Sequence, residues 1–170
     1  MNQGIDDQVS LGASYADAML PDDAGGAKHN QFISGWLTTS HLINGNTLKS
    51  SFIWGQARAD EGPSLNSFLE EAIYQWGRNN FYGRAEILQL TPKQLEVAIT
   101  GGAADAKWVK ALTAGYERTL FEKDKLSILI GAAYTTDLVP AVFRSAYGSD
   151  LRGIKGYLRI KFMADGDLGF

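Results

Sequence analysis

The chain has 170 residues, 45% of them hydrophobic and 11% aromatic, with a formal net charge of -3. These values suit one domain with a sizeable core; they exclude a wholly disordered chain and argue against a nucleic-acid binder. There is no cysteine, hence no disulfide framework and no thiolate metal site. MNQGIDDQVS lacks the basic start and apolar run of a signal peptide, so an exported form would be a mature chain or a fragment. No window approaches the roughly 20 apolar residues of a membrane helix. That does not exclude a membrane barrel, whose strands set only half their residues against lipid.

Eight strands are expected, over 8–18, 29–41, 47–59, 65–77, 80–91, 107–120, 125–136 and 153–163. Several hold the ten or so residues that a tilted strand needs to cross hydrocarbon. The connections alternate in length. Ile43-Asn44-Gly45-Asn46 carries an Asn-Gly hairpin turn. Gly77-Arg78-Asn79-Asn80 and Phe121-Glu122-Lys123-Asp124-Lys125 are two more tight turns. Between them fall longer loops at 19–28, 60–64, 92–106 and 137–152, where Pro92 and Pro140 sit. Residues 91–102 read as a short helix or a loop. Short and long connections in turn are the signature of an up-and-down barrel, with both ends of the strand array on the short-turn side.

The clearest strand is the last, GIKGYLRIKFM (153–163). Gly156, Leu158, Ile160 and Phe162 share one parity, and Lys155, Tyr157, Arg159 and Lys161 the other. Alternate side chains point to opposite faces of a strand, so one face is apolar and one charged. Strand 65–77 likewise groups Ser67, Leu69, Glu71, Ile73 and Gln75, and strand 80–91 groups Tyr82, Arg84, Glu86 and Leu88. A membrane barrel would turn the apolar face to lipid; a soluble barrel binding a small apolar ligand would turn it inward.

The segments SSFIWGQ (50–56), SLNSFLEEAIYQWGRNNFYGRAEIL (64–88), TAGYERTLF (113–121) and LIGAAYTTDLVPAVFRSAYGS (129–149), leading into YLRIKF (157–162), together resemble a family of uncharacterised, porin-like bacterial outer-membrane β-barrels. The likeness runs from about Val9 to Met163 and lies in pattern, order and spacing rather than in a catalytic motif. Members of that family are usually longer at the N-terminus, with further strands before the equivalent of Val9. The resemblance therefore implies the C-terminal part of a larger barrel, against the alternative that the eight strands close alone. ADGDLGF (164–170) ends in the aromatic Phe170, a common insertion signal of such barrels, but its Gly and Asp residues make a poor strand.

The expected fold is all-β: an antiparallel up-and-down transmembrane barrel forming a single domain over 1–170, in the bacterial outer membrane. Arg58, Glu71, Arg84, Glu86, Glu117, Arg159 and Lys161 are expected to line the lumen, although Arg58 shares its parity with Trp54. Glu71, Arg84, Glu86 and Arg159 could pair in one network, because an isolated buried charge is very costly. Ile128, Ile130, Leu158, Ile160 and Phe162 are expected to face lipid. Trp36, Trp54, Trp76, Trp108, Tyr74, Tyr82, Tyr116, Tyr134 and Phe162 read either as interfacial girdles or as core packing.

No catalytic residue, metal ligand or cofactor is expected. His29 and His41 have no second ligand at metal spacing. Ser40 and His41 are adjacent, so on a strand they point to opposite faces, and no nucleophile elbow accompanies them. Gly25-Gly26 and Gly101-Gly102 fit no phosphate loop. Asp22 and Asp23 read as solvated loop charge rather than a cation site. The apolar and basic loop 137–152 would enter the lumen, meet anionic lipid or bind a partner. The function these readings imply is passive: a channel for small solutes or a structural barrel. Its partners would be outer-membrane lipid and either missing N-terminal strands or a second copy.

Overall fold

The computed structural model describes residues 8–21, 27–59, 63–92, 94, 105–123, 125–148 and 151–162. They form eight strands: β1 (Gln8–Pro21), β2 (Ala27–Ile43), β3 (Asn46–Ala59), β4 (Leu65–Trp76), β5 (Asn79–Leu90), β6 (Lys107–Lys123), β7 (Leu126–Leu138) and β8 (Leu151–Phe162). A 3-10 turn (Ala141–Phe143) and a short helix α1 (Arg144–Tyr147) lie between β7 and β8. Every expected strand is present. Several run further than expected: β1 continues to Pro21, β2 begins at Ala27 and β6 continues to Lys123. Asp22, Asp23, Gly25, Gly26, Gly101 and Gly102, most of 91–102, and the segment 163–170 lie outside the described residues.

Each strand pairs antiparallel with its chain neighbour, in the order β1-β2-β3-β4-β5-β6-β7-β8. The tight connections are Asn44–Gly45, Gly77–Arg78 and 124–125, all at one end of the sheet. The longer ones, 22–26, 60–64, 91–106 and 139–150, are at the other. Asn44 (φ 51°) and Gly45 (φ 79°) both hold positive φ, as a type I′ turn requires. Gly77 alone does so in the second turn (φ 56°).

The sheet is open and does not close into a barrel. Residues 8–18 do not pair with 153–162, the described part of the last expected strand; β1 and β8 each have one neighbour. One irregularity interrupts the ladder, between Thr119 and Phe121 on β6, next to a bond from the Thr119 N–H to the Arg78 carbonyl (2.9 Å).

Register settles which side chains share a face. On β1, Val9, Leu11, Ala13, Tyr15 and Met19 lie on the same face as Leu112, Tyr116, Ile130, Tyr134, Leu158 and Ile160 of β6 to β8. The opposite face carries Gln8, Ser10 and Ser14 of β1 and Lys155, Arg159 and Lys161 of β8. Sorting is sharpest on β7 and β8; Asp17 of β1, Lys110 and Arg118 of β6 and Arg152 at the start of β8 also stand on the apolar face. Sorting is mixed on β2 to β5, where Phe32, Trp36, Ile53, Leu69 and Ile73 stand on the charged side.

Candidate functional site

Three rows of directly paired residues build the charged face. One runs Gln75, Asn80, Glu117, Gly131, Tyr157 from β4 to β8; the next runs Ile73, Tyr82, Gly115, Ala133, Lys155; the third runs Glu71, Arg84, Thr113, Thr135, Gly153. The middle of the face is therefore made of small residues. Gly115 and Gly131 have no side chain, and the rings of Tyr82 and Tyr157 lie over them, so closely that a Cβ at either glycine would overlap the ring. The two tyrosines lean toward one another from β5 and β8 until their hydroxyls are 3.4 Å apart.

Flanked by longer side chains, this floor becomes a hollow of about 320 Å³. It is bounded by Glu71, Gln75, Tyr82 and Glu117 on one side and by Lys155, Tyr157, Arg159 and Lys161 of β8 on the other. Glu117 is only 6% exposed. The Arg159 guanidinium stands 3.1 Å from its carboxylate and compensates the charge across β7. Arg84 serves a separate cluster, 2.6 Å from Glu86 and 3.8 Å from Glu71. The expected network thus exists as two: Glu71, Arg84 and Glu86 meet, while Arg159 joins Glu117. Lys161 shares the face and has no hydrogen bond or ion pair among the described residues.

Arg58 departs from expectation. It pairs with Gln31 on the face of Phe52 and Trp54, opposite Glu71. No bulge intervenes on β3, so the parity it shares with Trp54 decides its side. Ile128, Ile130, Leu158, Ile160 and Phe162 all lie on the apolar face, with Leu158 63% exposed.

The aromatics divide. Tyr74, Phe81 and Tyr116 pair across β4 to β6 on the apolar face near the short turns; the Phe81 and Tyr116 rings are 5.1 Å apart. The Tyr116 hydroxyl donates to Asn79 Oδ1 at 2.6 Å. A second group, Phe52, Phe68 and Trp108, has ring separations of 6.3 and 5.9 Å. Along β6 the eight residue steps from Trp108 to Tyr116 span about 27 Å. Trp54, Trp76, Tyr134 and Phe162 also belong to this face. Trp36 and Tyr82 do not: they stand on the charged side, over Gly12 and Gly115 respectively. An aromatic paired with a glycine across two strands was the sequence signal for this second role, but it needs the register to be read. Glu70 is a mid-strand carboxylate on the apolar face, beside Ala72, Ala85 and Leu112, and Asp17 of β1 is another.

The segment 139–148 turns back onto the charged face. Phe143 is fully buried, in an apolar nest with Val109, Val139 and Leu151. The Arg144 Nε donates to the Val139 carbonyl at 3.3 Å and closes the turn. Among the described residues, no helix is long and apolar enough to cross a membrane, and no cluster of three His, Cys, Asp or Glu could hold a metal. No protein-family model, curated protein or solved structure matches the chain.

Proposed function

We propose that these eight strands are part of an outer-membrane β-barrel whose charged face lines a passive path for small solutes. The observation that carries this reading is the sidedness of β6 to β8. Leu112, Tyr116, Ile130, Leu158 and Ile160 are exposed on one face, which Ile128 shares. Glu117, Lys155, Arg159 and Lys161 gather around a hollow on the other. Strands of 12 to 17 residues exceed the 9–11 needed for a tilted crossing, and the aromatic groups near both ends of the apolar face fit interfacial girdles. Edge strands cannot stay unpaired in hydrocarbon, where each unsatisfied backbone group costs several kcal/mol. Closure then draws on strands outside these eight, from a longer form of the chain or a second copy.

Ile160→Arg tests the orientation, because arginine at mid-bilayer on a lipid-facing strand costs roughly 2–4 kcal/mol. The parent chain should require detergent for extraction from membranes and show a heat-modifiable band on electrophoresis, and the variant should lose that band. A monodisperse detergent-free preparation, unaffected by Ile160→Arg, would overturn the reading. Conductance across a planar bilayer separates an open path from a structural barrel.

A further inference from the structure

We propose that the hollow between β4 and β8 binds a small oxyanion, a carboxylate or phosphate of one or two charges, and that it biases the path along this face toward anions. The inference rests on the open-path reading for its selectivity, but not for the binding site itself.

The argument begins with charge. The hollow is bounded by three cations, Lys155, Arg159 and Lys161, and by two carboxylates, Glu71 and Glu117. Both carboxylates are already engaged, Glu117 by Arg159 and Glu71 by Arg84. Lys161 has no ion partner among the described residues, and the Lys155 Nζ stands 5.6 Å from the centroid of the Tyr157 ring. Two ammonium groups therefore remain for a ligand. They belong to the same strand face as Arg159, so the three cations form a rail along β8, about 20 Å from first to last.

Neutral polar groups complete the site. The Tyr82 and Tyr157 hydroxyls meet over the glycine floor. Gln75 and Asn80 bring amides to the β4 and β5 side. Hydroxyls and amides can donate to an oxyanion without adding charge. A lysine is a compact charge on a flexible stem, suited to holding an anion loosely, and ring charge of one sign tunes which ions pass a pore. A cation would meet the same rail as a barrier.

The test uses the full chain folded in non-ionic detergent or planar bilayers, with Lys155→Glu/Lys161→Glu and, as a charge control outside the hollow, Lys123→Glu. In a potassium chloride gradient the parent should pass chloride in preference to potassium. The double variant should shift the reversal potential toward potassium, and the control should leave it in place. At low salt, a small fluorescent dye carrying a single aromatic carboxylate, followed by anisotropy, should bind the parent at least tenfold more tightly than the double variant. If the double variant fails to fold, Lys161→Gln should give a smaller shift of the same sign. Dye binding that depends on the two lysines, without conductance, would uphold the site and remove the open path. A potassium-selective parent, or dye binding indifferent to the lysines, would overturn the proposal.

Discussion

Gly131 shows how one residue sets local geometry. Tyr157 stands opposite it across β7 and β8 and lies over its Cα. Any side chain there must displace the ring, and overpacking of this kind costs about 1–3 kcal/mol. Gly131→Val should lower the midpoint of urea unfolding of the folded protein in lipid vesicles. Tyr157→Ala should recover most of the loss in the double variant, because the two changes share one contact. Equal, additive losses would mean that the ring does not rest on this glycine. Such pairs were poorly legible in the sequence. Tyr82 and Tyr157 were visible as members of the charged parity, but the glycines beneath them lie on other strands and no local pattern connects them. The same limit applies to Arg58, whose parity with Trp54 was plain, while its chemistry suggested the other face. The pairing of Arg159 with Glu117 rather than with Glu71 also depends on register across β7.

At the scale of elements, the strands were the most legible part. A period of two in β6 to β8, and turn residues such as Asn44-Gly45, are local signals that register then preserves. The segment between β7 and β8 was not so clear. Its apolar run, Val139 to Phe143, fits lipid, lumen or partner equally well by composition. The structure anchors it by Phe143, which fills a nest beside Val109 and Leu151. Truncating a buried phenylalanine costs about 3–5 kcal/mol when its site cannot collapse. Phe143→Ala should therefore release the turn, seen as faster amide exchange and protease cleavage within 139–148, while β2 to β6 keep their protection. Unchanged exchange in this turn would mean that Phe143 does not hold it down.

For the molecule as a whole, the open question posed by the sequence was closure, and the eight strands form an open sheet. Exposed edges are a hazard in water and untenable in lipid. On the membrane-barrel reading proposed above, amides of β1 and β8 in the membrane-bound protein should exchange as slowly as those of β4 and β5. Rapid exchange confined to the two edges would count against their being paired there. The faces guide any such pairing: Val9, Leu11 and Tyr15 of β1 and Leu158, Ile160 and Phe162 of β8 belong to one side, so a joining strand must itself be apolar on that side and polar on the other.

Strand direction adds an arithmetic constraint. Because all seven pairings are antiparallel, the first and last members of the array point opposite ways. A ring completed with strict alternation can then accept only an even number of additional members. Ten, twelve, fourteen or sixteen in total would satisfy it; nine or eleven would force two neighbours to run in the same direction.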